Sequence, residues 1–226
     1  MLILAALTAG ILLGHWTTRH RLRALTTLQT TLADAQRLAD HDRLTGLLNR
    51  WAAARLICHT VESGRRPTTL ALIDLDNFKT INDEYGYQAG DQLLRIVAAR
   101  LTQAVIPHRG FTARLGGDEF LVVLPDVAVD VIGTALARLA VPAVLHTDDG
   151  PISVIPAGSA GVTVYTGTHP TTFNDLLHEA DVALHHAKHH RGSHRLFEPG
   201  MSMPRNAGRH GPRRRDQHPT IDGDRA

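Results

Sequence analysis

The sequence predicts an α+β fold, on three observations. Strand-like and helix-like segments mix without settling into a strict strand–helix–strand rhythm. Two apolar runs stand on either side of Gly116-Gly117, a hairpin signal that excludes a purely parallel sheet. The chain has 226 residues, 43% of them hydrophobic, enough for one full core plus extensions but not for two large domains. That composition excludes wholesale disorder. The single cysteine, Cys58, excludes a disulfide framework and a Cys-rich zinc site, and it suits a reducing compartment.

Residues 1–16 are apolar apart from Thr8 and His15, and Arg19, His20, Arg21 and Arg23 follow directly. A secretory signal would carry its positive charge in front, and here none precedes the run. Residues 1–18 therefore read as a short single-pass membrane anchor. The basic flank places everything after it on the cytoplasmic side of an inner membrane. The run is shorter than the ~20 residues of a comfortable span, so a buried or frayed amphipathic helix is the other reading. Residues 19–40 read as a helical stalk. Leu25, Leu28, Leu32, Ala35 and Ala39 step three and four apart, a seam that brings two chains together or packs on its own domain.

Residues 41–198 form the globular domain. Its expected elements are a helix over 49–63, a strand over 69–75, a helix over 90–106, strands over 111–115 and 119–124 and a helix over 127–141. A strand over 152–164 broken at Pro156, a helix over 172–190 and a short strand over 194–198 complete it. Residues 199–226 are rich in Pro, Gly, Arg and His and read as a disordered basic tail. That tail holds six Arg against three Asp, more than the chain's whole net charge of +2. The basic excess thus belongs to the tail, and no nucleic-acid-binding face is expected.

Two segments carry chemistry. Leu70–Asp76 is an apolar strand ending in Asp74 and Asp76, which alternation puts on one side. Two neighbouring carboxylates repel unless a cation or donor compensates, and Mg²⁺ is the usual cation beside phosphates. Taken alone, such a strand end also reads as solvated acids. In Arg114–Phe120 the turn lifts Asp118 and Glu119 to a hairpin tip, where glycines let a bulky ligand approach the backbone. Paired acids at a tip beside paired acids at a strand end suit two-metal phosphoryl or nucleotidyl transfer. The fifteen His show no HExxH motif, and His59, His108, His146 and His178 read as solvated or core-edge residues.

Asp42–Arg50 (DRLTGLLNR), Asp74–Asp83 (DLDNFKTIND), Gly90-Asp91 and Gly116–Phe120 (GGDEF) stand in this order, followed by Ser159–Val162 and Ala180-Asp181 with Ala187-Lys188. With these motifs the chain resembles the GGDEF domain family of diguanylate cyclases over most of its length. The resemblance implies a palm-like, ferredoxin-like nucleotide cyclase sheet flanked by helices. It implies condensation of two GTP into cyclic di-GMP with loss of two pyrophosphates across a homodimer. It assigns Mg²⁺, two per active site with Mn²⁺ as a substitute, to Asp74, the Leu75 carbonyl and Asp118. Asp118 takes the base role, with Glu119 secondary. Asn82 and Asp91 match the pair that hydrogen-bonds guanine. Lys79 and Lys188, the only two lysines in the chain, match phosphate contacts.

Departures from the family pattern cluster after Lys188, where the order Arg191-Gly192 replaces Gly-Arg and leaves Arg191 or Arg195 for the triphosphate. Tyr87 and His185 replace a common His and Tyr. The family's RxxD feedback motif is absent, since Pro107 and Gly110 occupy its Arg and Asp positions. Three functional readings follow. The chain is an anchored cyclase without that feedback, a catalytically weak domain that binds GTP and regulates a partner, or an anchored scaffold with a lipid-seeking tail.

Overall fold

The computed structural model describes residues 38–63, 67–168 and 171–203, with scattered residues between 16 and 36. In chain order these form β1 (Leu48–Asn49), α1 (Arg50–Ser63), β2 (Thr68–Leu75), α2 (Phe78–Val105) and a 3-10 turn (Ile106–His108). Then come β3 (Phe111–Gly116), β4 (Glu119–Pro125), α3 (Val129–Leu139), β5 (Ala143–Thr147), β6 (Gly150–Val154), β7 (Gly158–Tyr165), α4 (Phe173–Ala187) and β8 (His194–Leu196). Six strands make one mixed sheet in the order β1-β3-β4-β2-β7-β8. The α+β expectation with helices flanking a central sheet holds.

Strand β2 lies at the centre, antiparallel to β4 and to β7. Its sequence TTLALIDL is almost continuously apolar because helices cover both faces. Ala71, Ile73 and Leu75 pack with Phe120, Val122 and Leu124 against α2 and α3. Leu70 and Leu72 pack with Leu121 and Val123 against Ala53 and Ile57 of α1 and Leu176, Ala180 and Leu184 of α4. The two-residue period of the strand thus sorts its side chains into two cores.

Helix α4 opens on a reciprocal cap. The Asp175 N–H donates to the Thr172 hydroxyl oxygen at 3.2 Å, and the Asp175 carboxylate accepts from the Thr172 N–H at 2.9 Å. The helix then crosses β7 with no room for a side chain. A Cβ on Gly161 would lie 1.9 Å from the Ala180 carbonyl oxygen and 2.2 Å from the Leu184 nitrogen.

Four expectations need correction. The helix expected from residue 90 begins at Phe78 and bends at Gly86, whose φ of 83° and ψ of 162° are non-helical. The strand expected over 152–164 is two strands in two sheets, because Pro156 lies between them and β6 pairs with β5 in a separate hairpin. The helix expected over 127–141 runs only from Val129 to Leu139, and Pro142 lies just beyond it. The helix expected to reach residue 190 ends at Ala187, so His189 and His190 lie in the turn that follows.

The anchor over 1–18 lies outside the described residues except for Trp16, and so do Leu25, Leu28 and Leu32 of the stalk seam. Ala35 and Ala39 are helical. Among the described residues, no helix is long and apolar enough to cross a membrane. Residues 204–226 of the tail are also outside the described set.

Candidate functional site

Asp74 is the penultimate residue of β2, and its ladder neighbours are Glu119 on β4 and Ser159 on β7. Strands on both sides fix its backbone. The β3–β4 hairpin is tied to the same spot, since the Leu75 N–H donates to the Asp118 carbonyl at 3.3 Å. Gly116 and Gly117 take φ values of 149° and 54° and have open space where a Cβ would stand. The tip is therefore bare of side chains until Asp118 and Glu119, which are half-buried.

A clamp that the sequence reading missed holds this tip. Arg114 donates to both Asp42 oxygens, at 3.1 and 3.2 Å, and to the Gly117 carbonyl from Nε at 3.0 Å and from its second terminal nitrogen at 2.7 Å. Asp42 in turn accepts from the Thr45 N–H at 2.9 Å and hydroxyl at 2.6 Å. The DRLTG and GGDEF segments are thus one hydrogen-bonded unit. Burial opposes ionisation of Asp42, but the Thr45 hydrogen bonds and the Arg114 guanidinium outweigh it and hold the carboxyl below its ordinary range.

The opposite holds for the strand-end acids. Burial pushes the Asp74 carboxyl up, Asp118 and Asp76 add repulsion, and the Lys188 ammonium 2.8 Å away offsets this only in part. Burial also raises the Glu119 carboxyl, with Asp74, Asp118 and Asp181 adding to it and Arg50 opposing. A cavity of about 230 Å³ opens beside Glu119 between α1 and α4, with Arg50, His178 and Asp181 on its wall. Sequence reasoning gave Arg50 and Asp181 no role. Among the described residues, no three His, Cys, Asp or Glu side chains stand ready as a metal cage. The donors still suit Mg²⁺ in kind. That ion binds through one or two carboxylates and keeps several waters, and a cation would offset the burial and mutual repulsion that raise Asp74 and Glu119.

Beyond the strand end, Asp76 does not pair with Asp74 toward a shared ligand. Its carboxylate accepts from the Ser159 hydroxyl at 3.0 and 3.1 Å and from the Gly192 N–H at 3.1 Å. Asn77 caps α2 in a left-handed conformation with φ 59°, and its side-chain oxygen accepts from Arg191. Two links therefore hold the turn after α4 to the turn after β2. Lys79 is exposed on the first turn of α2.

The bend at Gly86 brings Asn82 back over Gly90, beside Asp91. A Cβ on Gly90 would lie 1.9 Å from Asn82 Oδ1. The structure thus gathers Asp74, Leu75, Asp118, Glu119 and Lys188 at the strand end. Asn82 and Asp91 sit together on the bent helix, and Arg191 sits on the linking turn. Gly110 is closed to substitution, because a Cβ there would meet Leu124 Cδ2 at 2.6 Å and the Val123 carbonyl oxygen at 2.7 Å.

Comparison with known proteins bears on the family and the fold. A family model described as "Diguanylate cyclase, GGDEF domain" matches residues 39–194. The chain is 36% identical over 163 residues to diguanylate cyclase DgcP of Pseudomonas aeruginosa, covering 70% of this chain and 24% of that one. It is 34% identical over 168 residues to cyclic di-GMP phosphodiesterase PdeR of Escherichia coli, covering 74% of this chain and 25% of that one. The chain spans about a quarter of the length of these curated relatives. Among solved structures, the coiled coil and GGDEF domain of DgcB from Caulobacter crescentus, in complex with c-di-GMP, superposes with a TM-score of 0.67. Its identity is 28%, and the match covers 76% of this chain and 93% of that one.

Proposed function

The chain belongs to the GGDEF domain family, and from that premise we propose that it is a diguanylate cyclase condensing two GTP into cyclic di-GMP with release of two pyrophosphates. The observation that carries this reading is the strand-end cluster. Asp74 lies on the central strand with Glu119 as its ladder neighbour, and the Asp118 carbonyl is bound to the Leu75 N–H. Asp74, Asp118 and the Leu75 carbonyl would hold Mg²⁺. Bound there, the metal would ease alkoxide formation and offset charge on the α-phosphate.

The remaining roles fall to the chain's own residues. Asp118 accepts the proton of the attacking 3′-hydroxyl, and Glu119 supports the same acidic cluster. Asn82 and Asp91 bind the guanine edge, and an Asp accepting from N1–H and N2–H selects guanine over adenine, which lacks those donors. Lys79, Lys188 and Arg191 supply cations to the phosphates. Each domain holds one GTP, so a homodimer must bring two together. Residues 1–18 would keep the domain at the cytoplasmic face of an inner membrane. Product feedback through an RxxD site is not expected, because the tight packing around Gly110 leaves that Asp no place.

A second reading is a GTP-binding domain that regulates a partner. Two observations favour it: Arg191 is already engaged by Asn77, and one relative of similar identity is named a phosphodiesterase. Incubating the full chain with GTP and Mg²⁺, beside Asp118→Asn, separates the two. Cyclic di-GMP detected by mass from the wild type alone supports the cyclase. GTP binding without product supports the regulatory domain.

A further inference from the structure

Tyr87 is 80% exposed, more than any other large apolar or aromatic side chain among the described residues. Its phenol has no hydrogen-bond or ring partner among them. Isolated exposed rings are ordinary, and position sets this one apart. It is the first residue after Gly86, where α2 breaks and resumes. Gly90 and Asp91 follow three and four places later, so all three share one face of the resumed helix. Around the helix axis Tyr87 falls between the other two, one turn nearer the N-terminus.

The side chains of a helix lean toward its N-terminus, so the Asp91 carboxylate lies over the turn that Tyr87 begins. The bend brings Asn82 onto the same face, because its Oδ1 stands only 1.9 Å from where a Gly90 Cβ would be. Both polar groups offered to a guanine edge thus lie beside the phenol. Hydrogen bonds along an edge orient a base and leave its two faces uncovered. A flat aromatic ring next to such an edge site is the group that covers one of them.

We propose that Tyr87 stacks on the guanine ring and is a further nucleotide-binding residue of this domain. The inference rests on the reading that Asn82 and Asp91 bind the guanine edge. Every base has a π-face, so the phenol adds affinity while Asp91 keeps the choice of guanine over adenine. The ring can do this at small entropic cost, since a tyrosine fixes only two side-chain torsions when it is covered.

Calorimetric titration of the full chain with GTP and Mg²⁺ tests this, using Tyr87→Ala, Tyr87→Leu and Tyr87→Phe beside Asp91→Ala. Tyr87→Ala and Tyr87→Leu are expected to weaken GTP binding about tenfold, or about 1.4 kcal/mol, and Tyr87→Phe to stay within about twofold of the wild type. Melting temperatures should not move, because the ring is almost wholly exposed. Inorganic tripolyphosphate, which has no base, should bind Tyr87→Ala as it binds the wild type. Wild-type GTP affinity in Tyr87→Ala, with Asp91→Ala weakened, overturns the stacking and leaves the guanine reading standing. Wild-type affinity in Asp91→Ala removes the guanine reading and the stacking with it. Equal losses of GTP and tripolyphosphate in Tyr87→Ala also overturn the proposal, since the base would then play no part. Unchanged GTP affinity with a loss of dimer in sedimentation would assign the ring to a contact between copies instead.

Discussion

Substituting Gly90 with alanine tests whether the Asn82–Gly90 packing sets guanine recognition. The new Cβ would stand 1.9 Å from Asn82 Oδ1, 3.0 Å from Asn82 Cγ and 3.2 Å from Phe78 Cζ. All three atoms lie toward the ends of side chains, so the Asn82 carboxamide swings out while the backbone stays. Gly90 has no left-handed φ, and alanine in a helix gains about 1 kcal/mol over glycine. The melting temperature should therefore stay within a few degrees of the wild type. Nucleotide binding should not. Losing one partner and leaving a guanine group unpaired costs about 1–3 kcal/mol, or roughly tenfold or more in Kd. Calorimetric titration with GTP and Mg²⁺ reads this directly, with Asn82→Ala as reference. Gly90→Ala should weaken binding about as much as Asn82→Ala, and the double variant should be no worse, since both remove one contact. Wild-type affinity in Gly90→Ala, or additive losses in the double variant, would refute the reasoning.

Gly161→Ala meets backbone instead, at 1.9 Å from the Ala180 oxygen and 2.2 Å from the Leu184 nitrogen. It should cost about 3 kcal/mol and lower the melting temperature by roughly 10 °C. Asp42→Asn should cost about 1–3 kcal/mol at neutral pH through the weakened Arg114 clamp. Because the folded carboxyl of Asp42 lies below its unfolded value, its contribution is present above that value and fades as pH falls through the folded one. The urea midpoints of wild type and Asp42→Asn should accordingly converge on acidification, and parallel curves would count against the clamp. Glu119 is shifted the other way, so its ionised form costs stability. Glu119→Gln should raise the neutral-pH melting temperature, and the gain should vanish as the wild-type carboxyl protonates at lower pH.

Local chemistry made much of this legible in advance. The apolar run of β2 and the Gly116-Gly117 hairpin are each specified by a few adjacent residues, and both stand where their pattern put them. The Arg114–Asp42 clamp joins residues 72 positions apart, and nothing in either segment alone declares the other. The first half of α2 escaped notice because its start carries no side-chain cap and Gly86 breaks its period after about two turns. Strand β5 is five residues long and pairs only with β6, and Val144 on it is exposed. Its three apolar residues, Ala143, Val144 and Leu145, are too short a run to show a period, and Asp148-Asp149-Gly150-Pro151 read as a break, whereas Asp148 and Asp149 form the turn of a hairpin. In the candidate site, the acids were readable and the contacts orienting them were not. Asp76 belongs to the second kind, since Ser159 and Gly192 take up its carboxylate.

The central place of β2 has a consequence for how the domain breathes. Asp74 rides on a strand laddered on both sides, so its amide neighbourhood opens only when the sheet itself comes apart. Arg191 and Gly192 ride on a turn fastened to Asp76 and Asn77 by two exposed hydrogen bonds. That turn detaches at far smaller free energy. The acidic cluster and the phosphate-side turn therefore belong to different cooperative units of hydrogen exchange. On the proposed function, a bound nucleotide would be let go by fraying one without dismantling the other.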